Sequence, residues 1–158
     1  MKKLKRKMLV FISIIALFTS SLVVYADDDT QDNANELQEE TTTLKELVEQ
    51  GVVFEDVLTD TNNTKGGGGM LKTLSAGSSS LSSGFKLYSG GTINVGGVGN
   101  PSNKQFRVGI LQPDGTIRYI QGTSNIGKAF AVTQTGTHKV YIHNVSDVSM
   151  TLSVSYSY

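Results

Sequence analysis

Apolar and polar residues alternate along the chain from Met70 onwards, in short runs separated by turn residues. Alternation with a period of two is typical of a β-strand with one buried and one wet face. Between two such runs, Gln112 to Gly115 reads QPDG and predicts a hairpin turn, because proline fixes φ and glycine accepts a positive φ. We therefore predict an all-β domain over residues 70–158, an antiparallel β-sandwich or jelly roll of about seven strands. The clearest run is the last one, in which Met150, Leu152, Val154 and Tyr156 alternate with Ser and Thr.

The segment before this domain has a helical pattern. Leu37, Leu44, Leu47 and Val48 fall on one stripe of a helix. Residues 43–46 have the spacing of a capping box, and Gly51 suits the position after a helix end. We predict a disordered acidic arm over residues 27–58 with a short helix at about 43–50. Two alternatives stay open for the apolar residues 52–54 and 57–58, which either pack onto the following domain or remain an unpaired strand. Residues 59–69, which read TDTNNTKGGGG, predict a flexible linker.

Charge separates the arm from the β domain. Residues 27–60 hold 12 acidic residues and one lysine, a balance of −11, whereas residues 61–158 hold eight basic and two acidic residues, a balance of +6. The formal net charge of zero for the whole chain hides this division. The division places a domain boundary between about residues 59 and 69.

Residues 1–26 have the pattern of a secretory signal peptide. Five basic residues precede an uncharged apolar stretch, and Val24 and Ala26 place small side chains at the exit. We expect a secreted, extracellular protein that touches a membrane only through this peptide before cleavage. The chain has no cysteine, so neither a lipid anchor on cysteine nor a disulfide is available. The long Lys-rich start is typical of a Gram-positive exporter.

The β domain resembles a known kind of secreted module. The stretch GGTINV and the ending TGTHKVYIHNVSDVSMTLSVSY are similar to the small secreted β-sandwich modules of bacteria, such as pre-peptidase C-terminal domains. The resemblance implies a β-sandwich and an accessory, non-catalytic role. This chain lacks the aspartates that such modules use for calcium, so the resemblance implies no metal site here.

The motifs that carry chemistry are incomplete. Gly122 to Lys128 matches the start of a phosphate-binding loop, but Ala129 stands where the loop needs Ser or Thr, and a strand pattern follows instead of a helix. His138 and His143 are five positions apart on one predicted strand and project to opposite faces, His138 towards the core and His143 towards solvent. We expect no catalytic residue, no cofactor, no metal and no nucleic-acid partner.

One set of residues suggests binding. Basic residues lie on predicted strands opposite their apolar neighbours, with tyrosines nearby. Such a face is suited to phosphate-rich wall polymers, anionic lipid heads or acidic glycans. The alternative is that these charges only occupy wet strand positions. The candidate ligand-binding residues are Lys86, Tyr88, Arg107, Arg118, Lys139 and Tyr141.

Three functions remain open at this point. The first is a non-enzymatic β-sandwich module that binds an anionic cell-envelope or extracellular polymer. The second is the precursor of a membrane-active or antagonistic toxin, in which the acidic arm neutralises the basic domain until cleavage near Gly66–Gly69. The third is a self-assembling matrix subunit that donates Val52–Leu58 as a strand to a neighbour.

Overall fold

The computed structural model describes residues 37–55 and 66–158, which belong to one compact unit, Asn35–Tyr158. The predicted signal peptide, the first part of the arm and most of the predicted linker lie outside the described residues. These described residues are mostly β, with 61% in strands and one short helix. Within the described ranges, no helix is long and apolar enough to cross a membrane.

The chain forms ten strands and one helix within these ranges. In chain order they are β1 (Glu40–Thr43), α1 (Leu44–Glu49), β2 (Gly67–Leu74), β3 (Ser79–Leu81), β4 (Phe85–Leu87), β5 (Thr92–Asn100), β6 (Gln105–Leu111), β7 (Thr116–Thr123), β8 (Asn125–Ala131), β9 (Gly136–Asn144) and β10 (Met150–Ser157).

These strands make two antiparallel sheets, as the alternation predicts. The larger sheet has six strands in the order β1-β7-β6-β9-β3, and β4 also pairs with β9. The smaller sheet has four strands in the order β2-β10-β5-β8. The hairpin turn predicted at residues 112–115 joins β6 to β7, where the Gly115 nitrogen donates to the Gln112 oxygen at 3.0 Å and Gly115 has φ +87°.

The main hydrophobic core takes residues from both sheets. Phe106, Val108 and Ile142 come from the larger sheet, and Ile93 and Leu152 from the smaller one. The sheets approach each other so closely at β5 that a Cβ on Gly97 would lie 2.8 Å from Val108 Cγ1, and one on Gly99 would lie 2.8 Å from Phe106 Cε1. Glycine inside a strand here permits that close approach.

A second, smaller core covers the outer face of the larger sheet. Residues 37–55, which we call the strap, contribute Leu47, which is 1% exposed and packs with Ile117 and Tyr119. The strap also adds β1 to the edge of β7. This part of the arm is therefore ordered against the sheet, with Leu47 buried and Leu44, Val52 and Phe54 partly buried around it, so that residues 52–54 pack onto the β domain.

Local sequence signals account for α1. The Glu46 nitrogen donates to Thr43 Oγ1 at 3.1 Å, and the Thr43 nitrogen donates to Glu46 Oε2 at 2.8 Å, which is a complete capping box. These hydrogen bonds hold the pKa of Glu46 below its usual range, the Thr43 backbone being the largest cause. Gly51 follows the helix with φ +79°, as its position predicts.

The glycines before Met70 are part of a strand rather than of a linker. β2 begins at Gly67 and pairs with β10. A Cβ on Gly67 would lie 2.5 Å from the backbone oxygen of Tyr156, and one on Gly68 would lie 2.7 Å from the side-chain Oη of Tyr156. Glycine is needed because another backbone and a tyrosine ring pass close by, a constraint that composition alone does not reveal.

Candidate functional site

The structure separates the six predicted ligand-binding residues into two groups. Arg118 belongs to the group that is not free for a ligand. Its Nε donates to Glu39 Oε1 at 2.6 Å, and its Nη1 donates to the Ala131 oxygen. The side chains of Arg118 and Glu39 are only 16% and 23% exposed. The strap therefore neutralises Arg118 at the rim of the two sheets.

Arg107 is also held by its neighbours. Its Nε donates to Gln121 Oε1 at 2.7 Å, and its guanidinium lies 4.6 Å from the centre of the Tyr119 ring. The Tyr119 hydroxyl donates to Glu40 Oε2 at 2.7 Å, and burial, followed by this bond, raises the pKa of Tyr119 to about 12. Arg107 thus lies against the tyrosine under the strap instead of extending into solvent.

Tyr141 lies in the interior, not on the exposed face where the alternation placed it. It is 0% exposed, and its hydroxyl lies 2.9 Å from His143 Nδ1. His143, predicted on the wet side, is only 6% exposed, so that prediction is wrong. It lies in the middle of the larger sheet, between Ser79 of β3 and Arg107 of β6. Burial, followed by the charge of Arg107, lowers the pKa of His143 to about 4. His138 faces the core, as predicted, and is 0% exposed.

Two of the other predicted residues, Lys86 and Tyr88, line a surface groove of about 440 Å³, which we call the β4 groove. Tyr88, which is 75% exposed, and Tyr158, which is 41% exposed, both line it. The sequence reasoning missed Tyr158, although it continues the alternation of β10 after Tyr156. The lining residues are Lys86, Leu87, Tyr88, Ser89, Gly91, Thr92, Val132 and Tyr158.

Packing beneath the groove fixes its tyrosine wall. The Tyr158 ring stacks on Phe85 with centroids 4.9 Å apart and an interplanar angle of 5°. Phe85 in turn stacks on Tyr156 at 5.2 Å. The Tyr158 nitrogen donates to the Gly66 oxygen at 2.8 Å, which holds its backbone. An aromatic side chain held in this way has little freedom left to lose on binding.

The loop that carries Tyr88 is equally well anchored. β4 buries Phe85 and Leu87 and turns Lys86 outwards. After Tyr88 the chain bends at Gly90, where φ is +93°, and the Gly90 nitrogen donates to the Val132 oxygen at 2.9 Å. The strand and the turn together place one ammonium group and one exposed ring on the same side of the groove.

Lys139 extends this basic surface. Lys86 lies opposite Thr137 in the β4–β9 register, and Lys139 is two residues further along the same face of β9. Such diagonal neighbours have Cα atoms roughly 7–8 Å apart. Neither lysine forms an ion pair within the described part of the chain. The structure therefore brings together Lys86, Tyr88 and Lys139, and leaves Arg107, Arg118 and Tyr141 elsewhere.

The β4 groove has the chemistry of recognition. An exposed tyrosine offers an apolar ring and a polar hydroxyl, Ser89 and Thr92 add hydroxyls, and Lys86 adds a positive charge. No carboxylate or histidine lines the groove. Within residues 37–55 and 66–158, no group of three or more His, Asp or Glu residues is placed to hold a metal ion.

No protein-family model, no curated protein and no solved structure matches this chain.

Proposed function

We propose that this protein is a secreted, non-enzymatic β-sandwich module of jelly-roll topology that binds an anionic cell-envelope or extracellular polymer in the β4 groove. The observation that carries the proposal is the pair of exposed tyrosines, Tyr88 and Tyr158, that line the same groove as Lys86. A polymer of sugar or polyol units that carries phosphate or carboxylate groups matches both the rings and the ammonium.

The strand order supports the jelly roll. β3 and β4 pair with successive parts of β9 and together act as one interrupted strand. With β3 and β4 counted as one strand, the strands from β2 to β10 number eight. The smaller sheet then has the order first, eighth, third, sixth, and the larger sheet has the order second, seventh, fourth, fifth. That order is the one produced when two Greek keys wrap into a double-sheet jelly roll.

The charge of the described unit favours a local basic site over a broad basic face. Residues 37–55 and 66–158 hold eight Lys and Arg against seven Asp and Glu. A nearly neutral unit attracts a polyanion only where cations lack acidic neighbours. Lys86 and Lys139 satisfy this condition, whereas Arg118 and Lys104 are paired with Glu39 and Asp147.

Replacing the groove residues tests the proposal. In a sedimentation assay with purified cell walls, we expect the double variant Lys86→Ser, Tyr88→Ser to bind about tenfold or more weakly. A lysine near an anionic surface contributes up to about 1 kcal/mol, and an exposed ring adds packing area. Added salt should weaken wild-type binding, because the Debye length falls from about 10 Å at 0.1 M to about 3 Å at 1 M.

The matched control is Lys45→Ser, which removes an exposed lysine from α1. This control should bind the walls like the wild type. Equal binding by the groove variant and the wild type would refute the assignment of the groove. Anionic lipid vesicles, tested in parallel, distinguish a wall polymer from a lipid surface.

One observation favours the precursor alternative as a second candidate. The strap holds five of the seven described acidic residues and covers Ile117, Tyr119 and Tyr141. Its removal would leave seven basic and two acidic residues in the range 66–158 and would uncover those apolar side chains. If the alternative holds, the intact mass of the protein in culture medium will correspond to a chain that begins near residue 66. A chain that begins at Asp27 would contradict it.

A further inference from the structure

The outer face of the smaller sheet carries no charged side chain. Residues that alternate with the core positions of β2, β5, β8 and β10 point away from the core on this side. We call this surface the neutral face. It consists of Gly67, Gly69, Leu71, Thr73, Thr92, Asn94, Gly96, Val98, Asn100, Asn125, Gly127, Ala129, Ala131, Thr151, Ser153, Ser155 and Ser157.

Strand register divides the centre of this face into a ridge and a trough. The ridge is the row Leu71, Ser153, Val98 and Asn125, in which Leu71 is 67% and Val98 52% exposed. The trough is the next row, Gly69, Ser155, Gly96 and Gly127. A groove of about 500 Å³ lies over Gly96, Gly127 and Ser155. Its lining also includes Lys128, which alternates with the outward residues of β8. A ridge with two exposed apolar residues, Leu71 and Val98, therefore runs directly beside a trough with a similar course.

The fold itself does not require the trough glycines. A Cβ on Gly96 would come no closer than 3.7 Å to another atom, one on Gly69 no closer than 3.6 Å, and one on Gly127 no closer than 3.4 Å. All three also lie outside the set of glycines with positive φ. Gly97, on the opposite side of the same strand, has no such room. Because glycine weakens a strand, its use at these outward positions points to something that approaches from outside.

We infer that the neutral face is a self-association surface, on which two copies of this chain pack face to face. The two-fold axis of this dimer lies between the two faces, perpendicular to the strands and parallel to the boundary between ridge and trough. Rotation about it places the ridge of each copy over the trough of the other. Leu71 of each copy then lies over Gly69 of the other, and Val98 of each copy lies over Gly96 of the other. An isologous interface has this reciprocity. A face without charge meets its own copy without like-charge repulsion.

The size of the face sets the strength of the association. Four strands about 4.8 Å apart and seven residues at about 3.3 Å each give roughly 450 Å² per copy. A stable interface buries about 800 Å² per partner. The two copies should therefore form a weak dimer that dissociates on dilution.

Sedimentation velocity over a concentration series tests this inference on the purified chain. We expect the average mass to rise towards that of a dimer by about 1 mM, a dissociation constant that corresponds to about −4 kcal/mol of binding free energy. Val98→Lys should weaken the dimer at least tenfold, because it buries a charge. Gly96→Leu should do the same by filling the trough, and the space around its Cβ lets the monomer fold.

The matched control is Val53→Lys, at a 64%-exposed valine of the strap, which should dimerise like the wild type. Thermal unfolding of each variant verifies that the monomer is folded. A wild type that stays monomeric at about 1 mM overturns the inference. The inference is also overturned if the protein dimerises and neither Val98→Lys nor Gly96→Leu weakens the dimer. A monomer that binds an uncharged glycan, with binding lost in Gly96→Leu, would assign the face to that ligand instead.

Discussion

A chain that ends at Ser146 will not unfold cooperatively. The deletion removes β10, the strand that lies between β2 and β5 in the smaller sheet. Within the described residues, β2 then loses its partner in the smaller sheet, and β5 stays paired with β8 but has one edge unpaired. The deletion also removes four core side chains that are at most 5% exposed, namely Met150, Leu152, Val154 and Tyr156.

The loss exceeds what a domain of this size can tolerate. Burying one large apolar side chain contributes about 1.5–3 kcal/mol, so four contribute roughly 6–12 kcal/mol. Whole domains are stable by only about 5–15 kcal/mol. Differential scanning calorimetry is the measurement, and deletion of Tyr158 alone is the control, since that residue follows β10. A cooperative transition in the chain that ends at Ser146 would contradict this account.

The strands were predictable because the information for each is local. β10 and β4 keep the same alternation in the structure as in the sequence, with each apolar residue facing the core. The capping box of α1 and the turn at residues 112–115 are similarly contained within a few positions. Where one face of a strand is wet and the other buried, the pattern alone assigns the faces.

The larger sheet departs from this rule because both of its faces are covered. Alternation in β7 places Ile117 and Tyr119 on one side and Arg118 on the other, which favours a core on the first side and solvent on the second. In the structure, Ile117 and Tyr119 pack under the strap, and Arg118 reaches the rim, where it meets Glu39. That contact joins residues 79 positions apart, so no local pattern contains it.

The candidate site was only half predictable for the same reason. Lys86 and Tyr88 are neighbours in the sequence, and their exposure follows from the alternation of β4. Tyr158 reaches them through the stack on Phe85, which depends on β10 and β4 coming from different sheets. A basic strand residue is read as exposed by default. Only the fold reveals that Arg107 is held by Gln121 and Tyr119 of β7, and that Arg118 is held by Glu39 of the strap.

Leu47→Ala will destabilise the protein by about 2–4 kcal/mol, the usual range for emptying a buried leucine site. Leu47 is 1% exposed and is the deepest strap residue in the cluster with Ile117 and Tyr141. The matched control is Val48→Ala, one position further along α1, where the valine is 58% exposed and the change should be within about 0.5 kcal/mol. The midpoint of urea unfolding, at unchanged slope, is the measurement.

This comparison also decides what the division of charge means. If Leu47→Ala lowers the midpoint and Val48→Ala does not, the strap folds with the sheets, and Glu39 and Glu40 serve mainly to satisfy Arg118 and Tyr119. The acidic residues of the strap then belong to the folded unit, and the net attraction for a polyanion is confined to the surface around Lys86. If both variants unfold at the same urea concentration, removing the buried Leu47 side chain costs no more than removing the exposed Val48 side chain. The strap would then detach from the sheet at little cost in free energy. That result would favour the precursor over the binding module.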